Sequence, residues 1–309
     1  QCVKLAIDSL DEVPDFIPPH ILEKFQYPSA QQALVQIHNP VDLDSAELSK
    51  ARLTFDEAFL LQLLLLERRA ELRALKTVAR PVKSGGILEA FDKSLPWKLT
   101  PGQVEVSREI ESDLAADIPM HRLLQGDVGS GKTVVAVSAM LAAVQGGHQG
   151  ALMAPTEVLA EQHFAGVRNL LEGLLVPDEN NLFGDRQLRV ELLTSRVTSE
   201  RRRELLRDLA NGRVDILIGT HALIQDGVKF SSLGVAVIDE QHRFGVAQRL
   251  ALAAKGRRAP HTLAMTATPI PRSLTLAQYG EMDVSRLDEL PPGRQAIDTR
   301  VIPQERMDE

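Results

Sequence analysis

The sequence is poor in several features that mark particular classes of protein. It holds one cysteine, Cys2, in 309 residues, which excludes an internal disulfide framework and fits a reducing compartment. The most apolar segment, FLLQLLLLERR, is far shorter than the ~18 residues that span a bilayer. The N-terminus, QCVKLAIDSL, lacks the basic start and long apolar core of a signal peptide. We therefore expect a cytoplasmic protein that does not insert into membranes.

The chain also lacks an excess of positive charge. Its 35 lysines and arginines face 42 acidic residues, for a net charge of −7. This balance argues against indiscriminate DNA binding by an evenly basic surface, but it permits a local basic groove. With 44% hydrophobic and 25% charged residues, the composition is typical of a folded globular protein. Because the chain starts at Gln1 and ends in the polar stretch DTRVIPQERMDE, we expect it to be a piece of a longer polypeptide.

Residues 1–95 differ in character from the rest and are predicted to be a mainly α-helical connector. The stretch SAQQALVQIHNPVD indicates a short helix stopped by Asn39-Pro40. In RLTFDEAFLLQLLLLERRAELRALK, Thr54 and Glu57 have the spacing of a capping box that would open a long helix. Its leucines occupy more than one face, which predicts burial on two sides.

Residues 96–282 alternate short apolar runs with helical stretches, whereas residues 283–309 read as a linker. The runs lie at 122–125, 151–154, 188–193, 214–218, 235–238 and 262–265. This alternation predicts an α/β fold, with a parallel sheet flanked by helices on both faces. Ligands of such sheets bind beyond the carboxyl ends of the strands, and the polar clusters of this chain fall at those ends.

The segment GDVGSGKT matches the phosphate-binding pattern G-x-x-x-x-G-K-[ST] between a predicted strand and a predicted helix. Its glycines let backbone N–H groups surround phosphates, and the helix N-terminus adds a positive dipole. Lys132 can reach the β- and γ-phosphates, and the Thr133 hydroxyl can bind Mg²⁺. A glycine-rich turn without a ligand is the much weaker alternative. We predict an ATP and Mg²⁺ site formed by Gly126, Asp127, Val128, Gly129, Ser130, Gly131, Lys132 and Thr133.

A second polar cluster follows the apolar run 235–238 in GVAVIDEQHRFG. Asp239 is predicted to hold the Mg²⁺, often through a bound water, and Glu240 to act as the base or to position the attacking water. An Asp-Glu pair alone often merely caps a helix. Together with the phosphate loop, the pair indicates nucleotide hydrolysis.

Other polar residues are less informative by themselves. Thr266-Ala267-Thr268 in LAMTATPIPRSL is more typical of a strand-to-turn connection than of a site. His20, His38, His148 and His163 lack metal-ligand spacing, and His261 is interpreted as a turn residue. Trp97, in LPWKLTPGQVEV, is predicted to pack beside Gln103 rather than to bind adenine.

Taken in order, the motifs LTPGQ, GDVGSGKT, APTEVLAEQH, GTHALIQ, DEQHRFG and TATPIPR resemble the first half of a superfamily 2 helicase motor. The runs DEQHRFGVAQRLAL, MTATPIPRSLTL and DELPPGR are similar to the RecG family of branch-migration helicases in particular. IHNP and RLTFDEAFLLQ resemble the segment that joins the wedge domain of that family to its motor. Three alternatives stay open: the motor of a transcription-repair coupling factor, a P-loop ATPase that does not act on nucleic acid, and a catalytically silent interaction module.

The resemblance implies an ATP-dependent motor that remodels branched DNA, namely stalled forks and Holliday junctions, in recombination and repair. It implies a RecA-like lobe at 96–282, a connector at 1–95 that follows a missing OB-like wedge domain, and a linker at 283–309 to a missing second lobe. It further implies a monomer in the bacterial cytoplasm, associated with the nucleoid. Because the second lobe supplies an arginine to the transition state, we expect the isolated chain to hydrolyse ATP poorly.

The resemblance also assigns roles to residues outside the phosphate loop. Gln103, with Thr100 in the same motif, reads the adenine edge. Gln241 and His242 link the γ-phosphate to the DNA track, together with Thr266, Ala267 and Thr268. Contacts to the nucleic-acid backbone fall to Pro155, Thr156, Glu157, Gly219, Thr220 and His221.

One motif departs from the family pattern. Where the family usually has a Thr-Gly pair, this chain has Thr194-Ser195-Arg196. Loss of the glycine would restrict close approach of the backbone to DNA, and the charge of Arg196 would compensate.

Overall fold

A computed structural model describes residues 5–7, 9, 13–81, 85–177, 184–256, 258–268 and 282–289, except the side chains at positions 246, 249 and 250. The described residues form two compact units, one up to Ala70 and one from Glu71 onward. No helix in the described part of the chain combines the length and apolarity needed to cross a membrane.

The first unit is helical. It contains α1 (Pro19–Phe25), α2 (Ala30–His38) and most of α3 (Leu43–Ala74). As predicted, α2 ends before Asn39-Pro40, and a capping box between Ser29 and Gln32 begins it.

The start of α3 differs from the prediction. The helix begins at Leu43, so the proposed capping box at Thr54 is wrong. Asp42 and Ser45 exchange hydrogen bonds at that start, with Ser45 N donating to Asp42 Oδ1 at 2.7 Å. Thr54 lies inside the helix, where its hydroxyl donates to the carbonyl of Lys50 at 2.9 Å.

A buried arginine holds the first unit together. Arg52 donates to Asp15 and to Asp56, each at 2.7 Å, and to the carbonyl of Pro28 at 2.8 Å. Burying a guanidinium is favourable only with such complete pairing. The leucines of α3 contribute less than predicted, since Leu65 is buried but five neighbours are exposed: Leu60, Leu61, Leu63, Leu64 and Leu66.

The second unit is built on a parallel sheet. Among the described residues it has seven strands in the order β5-β6-β2-β7-β8-β1-β9. Their bounds are β1 His121–Gly126, β2 Gln149–Met153, β5 Val190–Leu193, β6 Ile216–Gly219, β7 Leu233–Ile238, β8 His261–Thr266 and β9 Asp283–Leu287. β3 (Leu175–Pro177) and β4 (Asp185–Gln187) form a separate antiparallel pair.

Helices flank this sheet. They are α4 Ile87–Ser94, α5 Pro101–Leu114, α6 Lys132–Gln145, α7 Glu157–Leu170, α8 Ser199–Ala210 and α9 Val246–Ala253, with 3₁₀ turns at His221–Ile224 and Gln241–Arg243. In β7, Val235 and Val237 enter one buried cluster, whereas Ala236 and Ile238 enter the other. Because successive strand residues point to opposite faces, both faces of the sheet are covered. The predicted α/β fold is confirmed, and each predicted apolar run forms a strand.

The compact units divide the chain at other positions than the sequence indicated. In α4, Ile87, Leu88 and Phe91 are buried in the core of the second unit, although these residues fall within the predicted connector. β9 extends the sheet beyond residue 282 by pairing with β1. Its sequence is DVSRL, and the polar residue Ser285 is buried there. Burial is possible because the Ser285 hydroxyl accepts a hydrogen bond from Arg122 at 2.6 Å.

The interpretation of His261 as a turn residue is wrong. It is the fully buried first residue of β8, and its Nδ1 accepts a hydrogen bond from the backbone N–H of Met120 at 3.1 Å. Burial lowers the pKa of this histidine to about 3, which keeps the ring neutral at physiological pH.

Candidate nucleotide-hydrolysis site and nucleic-acid edge

The phosphate loop connects the end of β1 to the start of α6 and depends on its glycines. Gly129 and Gly131 have φ angles of 84° and 86°, in the left-handed region where other residues are strained. A Cβ on Gly126 would lie 2.6 Å from Ser130 Oγ, which is buried and has no hydrogen-bond partner among the described residues. The loop therefore presents the N-terminus of α6 and an unused hydroxyl, which suits an anionic phosphate chain.

The side chain of Lys132 bonds to the phosphate loop itself, and the acids that follow β7 act on its charge. Its Nζ donates to the carbonyls of Gly126 and Asp127 at 2.7 and 2.9 Å. Desolvation lowers the pKa of Lys132, while the nearby charges of Asp239 and Glu240 oppose that shift. The phosphate loop and the two acids predicted to serve hydrolysis thus form one electrostatic site.

Gln103 lies against the phosphate loop. Its Oε1 accepts from Thr100 N, and its Nε2 donates to the carbonyl of Ser130, both at 3.0 Å. This buried amide joins the start of α5 to the loop, while its adenine contact stays a prediction. Trp97 is 50% exposed rather than packed and lines an open cavity of about 520 Å³ beside Leu99.

Asp239 is fixed by two contacts. Its backbone N–H donates to the carbonyl of Met153 at 2.9 Å, which continues the pairing of β2 with β7. Its Oδ2 lies 2.7 Å from Nε2 of His163 on α7. Sequence reasoning missed His163, because a contact between residues 76 positions apart leaves no spacing signal.

Glu240 has a strained backbone. Its φ and ψ of 48° and 53° are left-handed, a conformation that costs a non-glycine residue about 1 kcal/mol or more. His242 Nδ1 lies 3.4 Å from Glu240 Oε2. Gln241 is buried, its Oε1 has no partner among the described residues, and its Nε2 lies 3.6 Å from Met282 Sδ.

The end of β8 adjoins the phosphate loop. The hydroxyls of Thr266 and Thr268 lie 2.9 Å apart, and Thr268 N donates to Thr266 Oγ1 at 3.2 Å. The carbonyl of Thr268 accepts from Gln125 Nε2 at 3.3 Å, one residue before Gly126. The structure thus brings Thr266, Ala267 and Thr268 to the predicted nucleotide site. The PIPR segment that follows them, and all of ELPPGR except its glutamate, lie outside the described residues.

The predicted backbone contacts to DNA gather at the carboxyl ends of β2, β5 and β6. Thr156 caps α7 by accepting from Leu159 N at 3.3 Å, and Thr220 caps the 3₁₀ turn that follows β6. A Cβ on Gly219 would lie 2.2 Å from the carbonyl of Leu193, so glycine is required there. The sheet therefore brings these three motifs to one edge. Thr156, the cap of α7, directly follows Pro155.

Glu157 is the centre of this edge. It accepts from the backbone N–H of Ser195 at 3.1 Å and from the Ser195 hydroxyl, and its Oε2 lies 2.9 Å from Arg196 Nε. The Ser195 hydroxyl is the main cause of a lowered Glu157 pKa, and the charges of Arg196 and His221 add to it. Arg196 also lies 3.5 Å from Glu161. The expectation that its charge compensates for the lost glycine stays a prediction, and in this structure Arg196 pairs with two carboxylates.

Comparison with known proteins assigns the class. The DEAD/DEAH box helicase family matches residues 100–276, more than half of the chain. The chain belongs to this family, and membership implies the use of ATP. RecG-type helicases give long sequence matches. The chain is 50% identical over 294 residues to the ATP-dependent DNA helicase RecG of Synechocystis, which covers 95% of this chain and 34% of that protein.

Two further comparisons agree. RecG of Aquifex aeolicus is 41% identical over 97% of this chain and 38% of its own length. A solved structure of RecG bound to a three-way DNA junction superposes with a TM-score of 0.81 at 39% identity, covering 99% of this chain and 39% of that one. The chain thus spans little more than a third of these relatives. The predicted resemblance to RecG-type helicases and the RecA-like fold are confirmed.

Proposed function

We propose that this chain is the ATP-hydrolysing part of a DNA helicase that remodels branched DNA, including stalled forks and Holliday junctions, in recombination and repair. The observation that carries the proposal is the phosphate loop after β1, where Lys132 Nζ bonds to the carbonyls of Gly126 and Asp127 and lies in the field of Asp239 and Glu240. The relative solved on a three-way junction supports branched DNA as the substrate.

The residues of the site divide the chemistry of hydrolysis. Backbone N–H groups of 126–133 and the Lys132 ammonium bind the phosphates, and Gln103 binds the adenine. Thr133 and Asp239 would hold Mg²⁺, which would supply positive charge to the phosphates. Glu240 accepts a proton from the attacking water, and its left-handed backbone sets the direction of its side chain. The Thr133 hydroxyl and the Asp239 carboxylate are oxygen ligands of the kind that Mg²⁺ prefers, and the Lys132 ammonium suits a phosphate oxygen.

The edge around Glu157 grips the DNA backbone. Thr156, Thr220 and His221 offer hydroxyl and imidazole groups there, and Gly219 permits close approach of the strand ends. Such contacts suit phosphates and do not read sequence. They are compatible with a net charge of −7, because a few well-placed donors replace an evenly basic surface.

The relatives are more than twice as long as this chain, which supports further domains in the complete protein. We assign the first unit, up to Ala70, to the connector that follows a wedge domain, and the residues beyond β9 to the linker to a second motor lobe. That lobe would supply an arginine, and such arginines raise hydrolysis rates by ~10³–10⁵. The 309 residues alone should therefore hydrolyse ATP slowly. The complete protein would act as a monomer in the bacterial cytoplasm, at the nucleoid.

ATPase assays of the 309-residue chain and of the complete polypeptide test this proposal. Each is measured alone, with linear duplex, and with a three-way junction. The junction should stimulate the complete protein strongly and the short chain hardly at all, and Lys132→Ala should abolish hydrolysis in both. No stimulation of the complete protein by any DNA would leave only a P-loop ATPase without a nucleic-acid role.

A further inference from the structure

His163 is an unexplained neighbour of the catalytic acids. Its side chain is 15% exposed and that of Asp239 is 11% exposed, with 2.7 Å between Nε2 and Oδ2. A carboxylate can only accept a hydrogen bond, so Nε2 carries the hydrogen and donates it. The bond occupies one oxygen of Asp239 and leaves Oδ1 for a cation.

The contact with His163 restrains the side chain of Asp239. The backbone of Asp239 is held by Met153, but its carboxylate can still rotate about the side-chain torsions. Hydrogen bonds to metal-binding carboxylates fix their orientation, and their loss typically costs 10–100-fold in metal affinity or activity. His163 is placed to play this part for Asp239.

The helix that carries His163 starts at the predicted DNA contact. Thr156 caps α7, and Glu157, its first residue, is held by Ser195 and Arg196. His163 lies six residues further along, about 9 Å at 1.5 Å per residue. On the same helix, Ala160 and Val167 are fully buried, so the segment from Glu157 to His163 is one stretch of helix packed on the sheet.

We propose that His163 is a positioning residue that orients Asp239 for Mg²⁺, and that α7 thereby couples DNA engagement at Glu157 to the nucleotide site. A hydrogen bond weakens steeply when its length or angle changes. A small shift of α7 on DNA binding therefore alters the orientation of Asp239. This inference rests on the proposed function for its DNA arm, whereas the link between His163 and Asp239 stands on the contact itself.

The test compares His163→Gln with His163→Asn in the complete protein. The Gln amide nitrogen can reach the position of Nε2, whereas the Asn amide is one methylene shorter and cannot. Binding of a fluorescent ATP analogue is titrated with Mg²⁺, and ATPase is measured with and without a three-way junction. His163→Asn should bind the analogue normally without Mg²⁺ but need ~10-fold more Mg²⁺ for tight binding, and it should lose most of the DNA stimulation. His163→Gln should stay near wild type in both.

Two controls keep the result interpretable. His148→Asn alters another partly buried histidine, which hydrogen-bonds Ser232 at 2.7 Å beside the amino end of β2, and it should leave both readouts unchanged. If His163→Asn does not fold, His163→Leu replaces it, with the same expectation.

A wild-type Mg²⁺ requirement in the Asn or Leu variant overturns the proposal, and so does a raised requirement with full DNA stimulation. If the unsubstituted protein itself ignores DNA, the proposed function fails, and the Mg²⁺ titration still decides whether His163 positions Asp239.

Discussion

Gln103 packs directly against Gly131, so the two motifs predicted to bind nucleotide are in contact with each other. A Cβ on Gly131 would lie 2.1 Å from Gln103 Nε2, and that amide is buried with its oxygen and nitrogen bonded to Thr100 and Ser130. The amide therefore cannot yield without losing both bonds. Gln103, the residue predicted to read adenine, therefore also restricts which residue the phosphate loop can have at position 131.

Gly131→Ala should consequently damage stability and nucleotide binding together. The left-handed backbone costs alanine ~1 kcal/mol, and displaced hydrogen bonds of Gln103 cost about 1 kcal/mol each. We expect a loss of roughly 2–3 kcal/mol in the free energy of unfolding and a clear loss of ATP affinity, measured by denaturation and by analogue fluorescence. Gly147→Ala is the matched control, since its φ is 76° but no atom of the described residues lies within 4 Å of the position of its Cβ. It should lose ~1 kcal/mol and keep ATP affinity; equal losses in both variants would contradict the role of Gln103.

Because the backbone of Glu240 is strained, a residue that suits the left-handed conformation better should stabilise the fold while hydrolysis is lost. Asparagine adopts left-handed backbone more readily than glutamine. Glu240→Asn should therefore be more stable than Glu240→Gln, by about 0.5–1 kcal/mol. Both variants lose the carboxylate and should bind ATP but hydrolyse it very slowly. Thermal melts and single-turnover assays measure the two effects, and a more stable Gln variant would argue against backbone strain.

Sequence periodicity predicted the sheet and its site because both depend on local patterns. Apolar runs of four to six residues marked the buried strands, and parallel strands place all their carboxyl ends at one edge. Asp239 and Glu240 could thus be placed near Lys132 without a structure. β9 was missed because DVSRL is short and half polar, and its buried Ser285 is explained only by the distant Arg122.

The errors arose where a residue has another partner than the one that its local sequence suggested. The hydroxyl of Thr54 could cap a helix, but Asp42 caps it earlier. His261 resembled a turn residue until Met120 provided its hydrogen bond. His163 lacked any ligand spacing, yet a neighbouring strand carries Asp239 to within 2.7 Å. The two histidine contacts are tertiary, whereas the cap formed by Asp42 and Ser45 is local and could have been found in the sequence.

Glu157 restrains a cation that could otherwise bind phosphate. Glu157→Gln removes the carboxylate at 2.9 Å from Arg196, so it should raise DNA affinity several-fold at low salt and steepen the salt dependence. Fluorescence anisotropy with a junction at several salt concentrations measures both. Arg196→Ala should change affinity little, because Arg196 is paired with Glu157 and Glu161. The double variant should lose the gain; if it keeps the gain, Arg196 is not the group that Glu157 restrains.

His242 should separate ATP use from DNA remodelling. Its side chain is 38% exposed and lies 3.4 Å from Glu240, so His242→Ala should fold and bind nucleotide as wild type does. We expect ATP hydrolysis to continue while fewer base pairs are unwound per ATP, as shown by parallel ATPase and strand-displacement assays of the complete protein. A parallel loss of both activities would instead place His242 in hydrolysis itself.

The pH dependence of stability should report His261. Its folded pKa of about 3 lies below the ordinary value of 6.5 because the ring is buried. The unfolded chain therefore binds a proton that the folded chain refuses, so this contribution to stability is complete above pH 6.5 and is lost as pH falls towards 3. At pH 5 the loss amounts to about 2 kcal/mol. His148, with a pKa lowered to about 4 by burial, adds to the same trend.

His261→Asn isolates this contribution. The Asn Oδ1 can accept the hydrogen bond of Met120 N in place of Nδ1, but the amide does not titrate. Urea denaturation at pH 7.5 and pH 5 should show a smaller loss of unfolding free energy for the variant than for wild type, by about 2 kcal/mol. His38→Asn, a substitution of a histidine at the exposed end of α2, should leave the wild-type slope unchanged. An identical slope in His261→Asn would show that the buried ring is protonated in the folded protein.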